Sequence, residues 1–276
     1  MPSSPLNDRH YRPDDPSATL AAAASAMRET FGAIEFDAAM HRCPHCVSAA
    51  EVAALGDDPA LLPPALVGRF VIKHGTTWGG PADLRRLMPR IFVLQADGVL
   101  PVHRPVVWAK ARAAGWPHWD HDEVASVHHF VEAEWNRLVR SEPRPAHAAH
   151  RWLADTATGI DDLDPYLAAW HDALGPLADP AHHEAAVGHL VGLLANSALR
   201  PDLPETMADV FPGRPLAAAQ VTTWLIGPGT ADELQRAAAV LARSPQSRRV
   251  NVANERLRRF TAAVAAASTG SGAPSS

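Results

Sequence analysis

Pro63-Pro64-Ala65-Leu66-Val67-Gly68-Arg69-Phe70-Val71-Ile72-Lys73-His74-Gly75-Thr76-Thr77-Trp78-Gly79-Gly80-Pro81-Ala82-Asp83-Leu84-Arg85-Arg86-Leu87-Met88-Pro89-Arg90-Ile91 is the stretch that decides the fold class. Val67, Phe70, Val71, His74 and Trp78 stand at i, i+3, i+4, i+7 and i+11. That spacing predicts one stripe of an α-helix beginning at Pro63 and stopping at Gly79-Gly80. A second helix follows at once. Pro81 suits its first turn and Asp83 meets the positive end of its dipole. Leu84, Leu87, Met88 and Ile91 face one way, and Arg85, Arg86 and Arg90 face the other. So short a link predicts an antiparallel pair. Pro89 has no N–H for the carbonyl of Arg85 and is expected to bend the second helix.

The same period runs outward in both directions. Residues 104–114 read as a helix ended by Gly115-Trp116-Pro117. Asp120 and Glu123 then form capping-box spacing ahead of Val124, Val127, His128, Val131, Trp135 and Leu138 on one face. After Pro145 a further pair is expected: Asp164-Pro165 opens a helix with Tyr166, Trp170 and Leu174, and Asp179-Pro180 opens one with Val187, Leu190 and Leu194. The last helix carries Ala253, Leu257, Phe260 and Val264 on one face, and Arg256, Arg258 and Arg259 on the other. No strand is expected, since the β-branched run Val221–Ile226 sits inside a longer helical context.

The fold class read from this is all-α. About a dozen helices in antiparallel pairs of roughly 35 to 45 residues predict an irregular, HEAT-like α-solenoid or a multi-helix bundle. Residues 1–16, rich in Pro, Ser and Asp, and the Ser/Gly/Pro tail 268–276 are expected to be disordered around a single helical domain over 17–267. Its one candidate sub-boundary is the Pro-rich break at 201–215.

Bulk composition narrows the function. With 276 residues, 47% of them hydrophobic, the chain can bury a core without covalent staples. A formal charge of −5 gives no case for a nucleic-acid partner. No apolar run is long enough for a membrane span and no secretory signal is present, so a cytoplasmic location is expected. Only Lys73 and Lys110 are lysine, which reads as genome composition bias.

Few residues offer chemistry. In His41-Arg42-Cys43-Pro44-His45-Cys46, two thiols three residues apart can share a zinc ion, and His41, His45 and the more distant His74 are the candidate further ligands. The alternative is two thiols at a helix start. A disulfide exchanger would want a strand before the first cysteine, and none is expected. Most of the fifteen histidines read as surface residues, including His118, His121, His129, His147, His150, His182 and His189. His128 and His183 fall on apolar stripes, where a hydrogen-bonded core role is the simplest. His182-His183-Glu184-Ala185-Ala186-Val187 misses the zinc-protease pattern, because Val187 stands where the second imidazole belongs. No glutamate has histidine three residues later, so the di-iron bundle is excluded too. There is no nucleophile elbow and no phosphate loop, and Gly227-Pro228-Gly229 reads as a turn. Asp14-Asp15, Asp57-Asp58 and Asp161-Asp162 read as caps. The arginines Arg248, Arg249, Arg256, Arg258 and Arg259 read as a solvated face.

The Cys-Pro-His-Cys segment, Thr76-Thr77-Trp78-Gly79 and Leu87-Met88-Pro89-Arg90-Ile91-Phe92 resemble motifs of a group of uncharacterised bacterial all-helical proteins. Those proteins share a Cys-x-x-Cys start, a Thr-Trp-Gly turn and a Leu-Pro-Arg helix; the likeness covers about residues 40–175 and is loosely HEAT-like. It implies a fold and carries no catalytic residues. The expectation is therefore a non-catalytic helical protein that binds a macromolecular partner, most simply protein. The alternative is a metal-binding or enzymatic accessory protein of a bacterial biosynthetic or modification pathway, with a site near Cys43, Cys46 and His74.

Overall fold

The computed structural model describes residues 15–144, 148–243 and 245–270. The disorder expected for residues 1–14 and 271–276, and the reading of His147, lie outside the described residues. Among the described residues there are thirteen α-helices, three short 3-10 turns and two isolated β-bridges, with no strand. In chain order the helices are α1 (Pro16–Phe31), α2 (Ala49–Leu55), α3 (Pro64–Lys73), α4 (Pro81–Ala96), α5 (Arg104–Ala113), α6 (His121–Val139) and α7 (Ala149–Thr156). Then come α8 (Asp164–Leu174), α9 (Pro180–Leu194), α10 (Met207–Val210), α11 (Pro215–Ile226), α12 (Pro228–Val240) and α13 (Ser247–Gly270). The last runs three residues into the expected tail. No helix among the described residues is long and apolar enough to cross a membrane.

Helix starts follow local chemistry. Asp15, Ser48 and Asp179 accept backbone N–H bonds at the heads of α1, α2 and α9, and Ser48 with Glu51 closes a full capping box. At α6 half of the expected box forms: Asp120 N–H donates to Glu123 Oε2 at 3.3 Å, while the Asp120 carboxylate makes no cap bond and accepts from Arg85 instead. Asp58 accepts the Ala60 N–H at 2.9 Å and caps the 3-10 turn after α2, whereas Asp162 accepts the Asp164 N–H at 2.9 Å without capping α8, whose N-cap is Leu163.

Of the two arrangements expected, the multi-helix bundle describes the molecule. α1 lies along α6 and also touches α4, and α6 packs against α8 and α9 as well. A solenoid would have confined α1 to its chain neighbours. The reason is composition: α6 buries Val127, Phe130, Val131, Ala133, Trp135 and Val139, more than one stripe, so it needs partners on several sides. An aromatic chain continues from it. Trp135 sits 4.9 Å from Trp152 and 5.6 Å from Trp170, and Trp170 stacks on Trp224 at 4.8 Å. Four indoles also donate to backbone carbonyls: Trp135 to Tyr166 (2.7 Å), Trp170 to Ala186 (3.1 Å), Trp116 to Gly159 (3.0 Å) and Trp119 to Ala114 (3.0 Å). One continuous apolar cluster runs from Ala23 to Phe260.

Two readings are corrected by the structure. α3 ends at Lys73, five residues before Trp78. Gly75 (φ 72°) and Gly79 (φ 67°) take left-handed backbone, and the N–H groups of Thr76, Thr77 and Trp78 all turn back to the carbonyl of Lys73. Trp78 is buried nonetheless, from a loop, edge-on to Phe70 at 5.6 Å. Nor are the arginines opposite the apolar stripes simply solvated. Arg86 donates to the carbonyls of Leu55 and Asp57, Arg90 to Leu62, Arg137 to Ala96, and Arg256 to Leu194 and Leu199. Each reaches carbonyls left open at or just past the end of a neighbouring helix or turn, so the cation satisfies an orphan acceptor and meets the negative end of a dipole.

Candidate functional site

The Cys-Pro-His-Cys segment is a tight turn ahead of α2. The N–H groups of Cys46 and Val47 both donate to the carbonyl of Cys43 at 3.0 Å. Arg42 forms an antiparallel bridge with Trp78, Cys43 N–H donates to Thr77 O (2.9 Å), and Gly79 N–H donates to His41 O (2.8 Å). Two of the motifs that carry the family resemblance therefore meet in space. The carbonyl of Cys46 accepts from Arg69 (2.8 Å) and Lys73 (2.9 Å), and the cap of α2 is Ser48, not a thiol.

Both cysteines are free and half-buried. The Cys43 thiol is lowered to about 7 by the backbone N–H of His45, then by the Cys46 thiol and N–H and the His45 side chain. His41 and His45 are exposed. His74 is buried against Phe70 (5.6 Å between rings), and its carbonyl accepts from Lys110 (2.7 Å). Burial, then the Lys110 charge, lowers the His74 imidazole to about 4. Among the described residues, no three or more His, Cys, Asp or Glu side chains are grouped so as to hold a metal ion.

Of the histidines read as surface residues, His189 is buried. Its Nδ1 accepts from Ala149 N–H (3.3 Å), and its Nε2 faces the carbonyls of Leu138 and Ser141, both at 3.0 Å. That pattern requires the neutral ring protonated on Nε2, and burial lowers its pKa accordingly. It pins the end of α6 and the start of α7 to α9. His150, next to it in space, is lowered to about 4 by burial, then by Arg151 and His189. His128 rests on Trp116 at 5.4 Å, half-buried.

The largest described cavity, about 630 Å³, gathers residues the sequence did not point to. It opens between the α4–α5 loop, the end of α6 and α7. Its floor holds a forked ion pair: Arg104 Nη1 to Glu134 Oε2 at 2.9 Å and Nη2 to Oε1 at 2.5 Å, with the guanidinium over the Trp152 ring at 5.3 Å. Glu134 is 3% exposed and Trp152 5%. Three buried polar atoms of the lining have no partner among the described residues: Trp152 Nε1, Arg137 Nε and Gln95 Oε1. At the rim, Arg144 and Arg151 are exposed, as are Asp97, Glu142 and His103. Asp155 is raised by burial, although Arg104, Arg151 and His103 all pull the other way.

One signal could have marked this place: Glu134 lies between Val131 and Leu138 on the apolar face of α6, where a carboxylate must be paired. Comparison of the chain with protein-family models, with curated proteins and with solved structures finds no match.

Proposed function

We propose that the chain is a non-catalytic helical binding protein, and that it takes hold of a protein partner through the α4–α7 cavity. The observation that carries the proposal is the set of unspent donors there. Trp152 Nε1 and Arg137 Nε are buried without acceptors among the described residues, and Arg144 and Arg151 stand at the mouth. Buried donors without acceptors call for an acceptor from a ligand or water. A partner segment presenting a carboxylate flanked by peptide carbonyls supplies several at once, provided that Trp152 and Arg137 turn their buried N–H groups toward the cavity on binding. The floor is preorganised, because the Arg104–Glu134 fork and its stacking on Trp152 fix both side chains before anything binds.

Fluorescence anisotropy tests it, using a labelled pool of short peptides with a central glutamate beside the same pool carrying glutamine. The glutamate pool should bind with salt-sensitive affinity and Arg151→Glu should abolish it. Equal binding of both pools, or of neither at millimolar protein, overturns the proposal.

One observation favours a second reading, acid–base catalysis on a small molecule: Asp155 has its proton affinity raised by burial in a cavity that also presents His103. Under that reading Asp155→Asn stops turnover while ligand binding persists. The zinc reading keeps Cys43 and Cys46 with His41, His45 and His74 as candidate ligands, although no three of them are grouped among the described residues. Zinc analysis of purified protein, beside the Cys43→Ser, Cys46→Ser double variant, tests it.

A further inference from the structure

We infer that a second cavity, between the end of α1 and the middle of α4, binds a small amphipathic carboxylate: an aliphatic or aromatic acid with its charged end against a cluster of three guanidiniums. The space measures about 410 Å³, within the range of small-ligand sites. Arg86 and Arg90, one helical turn apart on α4, line it together with Arg28 from α1.

The two α4 guanidiniums are held from behind. Arg86 Nη1 and Nη2 donate to Leu55 O (2.7 Å) and Asp57 O (3.0 Å), and Arg90 Nε and Nη2 donate to Leu62 O (3.0 and 2.8 Å). Arg86 Nε and Arg90 Nη1 are left without a partner among the described residues, so each fixed guanidinium keeps a donor edge. Immobilising the cations in advance removes the entropy a ligand would otherwise have to overcome. Arg28, exposed in the last turn of α1, has no hydrogen bond or ion pair among the described residues, so its guanidinium is free to turn to a ligand.

Against these cations the lining sets one carboxylate, Asp58, whose Oδ1 already accepts the Ala60 N–H at 2.9 Å. Asp83 also acts on Arg86, yet burial is the larger influence there and lowers its pKa, the mark of a cation partly stripped of water. The remaining walls are apolar: Phe31, Ile34, Phe36, Pro89 and Val93, with Arg86 over the Phe36 ring at 5.4 Å. A bare phosphate would leave these walls wet, and a neutral lipid-like molecule would leave the guanidiniums unanswered. A carboxylate on a short apolar body satisfies both halves.

Calorimetric titration of the full chain with octanoate, 1-octanol and inorganic phosphate tests the inference. Octanoate should bind saturably, and the other two at least about tenfold more weakly, the scale of one charge-assisted bond. Arg28→Ala should cost octanoate about tenfold, and Val93→Asp, which sets a carboxylate in the apolar wall, should abolish binding. Unchanged urea midpoints would show that both variants fold. Octanol or phosphate binding as tightly as octanoate, octanoate binding unaffected in both variants, or no octanoate binding at millimolar concentration would each overturn it.

Discussion

Acid should destabilise this protein through His74, and the amount follows from its burial. The imidazole is 3% exposed, its Nδ1 has no partner, and its pKa falls from 6.5 to about 4. The folded chain therefore refuses a proton that the unfolded chain accepts. Stability from this group is complete above the unfolded value of 6.5 and is lost as pH falls through 6.5 toward 4. The full shift corresponds to about 3 kcal/mol, of which about 2 kcal/mol is already lost at pH 5. Urea unfolding at pH 8 and pH 5 measures the loss, and His74→Phe removes the titrating group while keeping an aromatic ring. The wild type should lose about 2 kcal/mol more than the variant between the two pH values. Since the difference between proteins cancels every other titrating group, including His150 and His189, an equal loss in both would refute the reasoning.

Other expectations follow from single contacts. A Cβ at Gly159 would fall inside the Trp108 indole, so Gly159→Ala should destabilise by about 1–3 kcal/mol, read as a lowered Tm with altered tryptophan emission. Gly192 in α9 has open space around it, and Gly192→Ala should stabilise by about 0.5–1 kcal/mol. Arg104→Met leaves Glu134 buried without its partner and should cost about 3–5 kcal/mol in urea unfolding, recovered in large part by adding Glu134→Leu. Iodoacetamide should alkylate Cys43 with a rate midpoint near pH 7, set by the His45 N–H and the neighbouring Cys46, and a midpoint near 9 would contradict that geometry.

The helices were legible because their signals are local. Apolar stripes such as Val67–Phe70–Val71 and caps such as Asp179-Pro180 depend on neighbours within one turn. The end of α3 misread because His74 and Trp78 fit the helical period, while the glycines that break it act through backbone angles a stripe does not record. The packing of α1 on α6 was invisible, since about a hundred residues separate them and the period names a buried face without naming what covers it. The α4–α7 cavity was missed for the same reason. Glu134 on the apolar face of α6 signals that a partner is needed, but nothing local names Arg104 of α5 as that partner until the helices come together. His189 read as a surface residue, although Ala185, His189 and Leu193 stand four apart on one buried face of α9, and α6 and α7 close over it.

Amide hydrogen exchange of the chain alone and saturated with the tightest glutamate peptide addresses the central claim most directly. Binding in the α4–α7 cavity should slow exchange at residues 137–144 and 148–155, and should do neither in Arg151→Glu. Protection confined to α11–α13, with those two segments unchanged, would place the partner elsewhere and contradict the account.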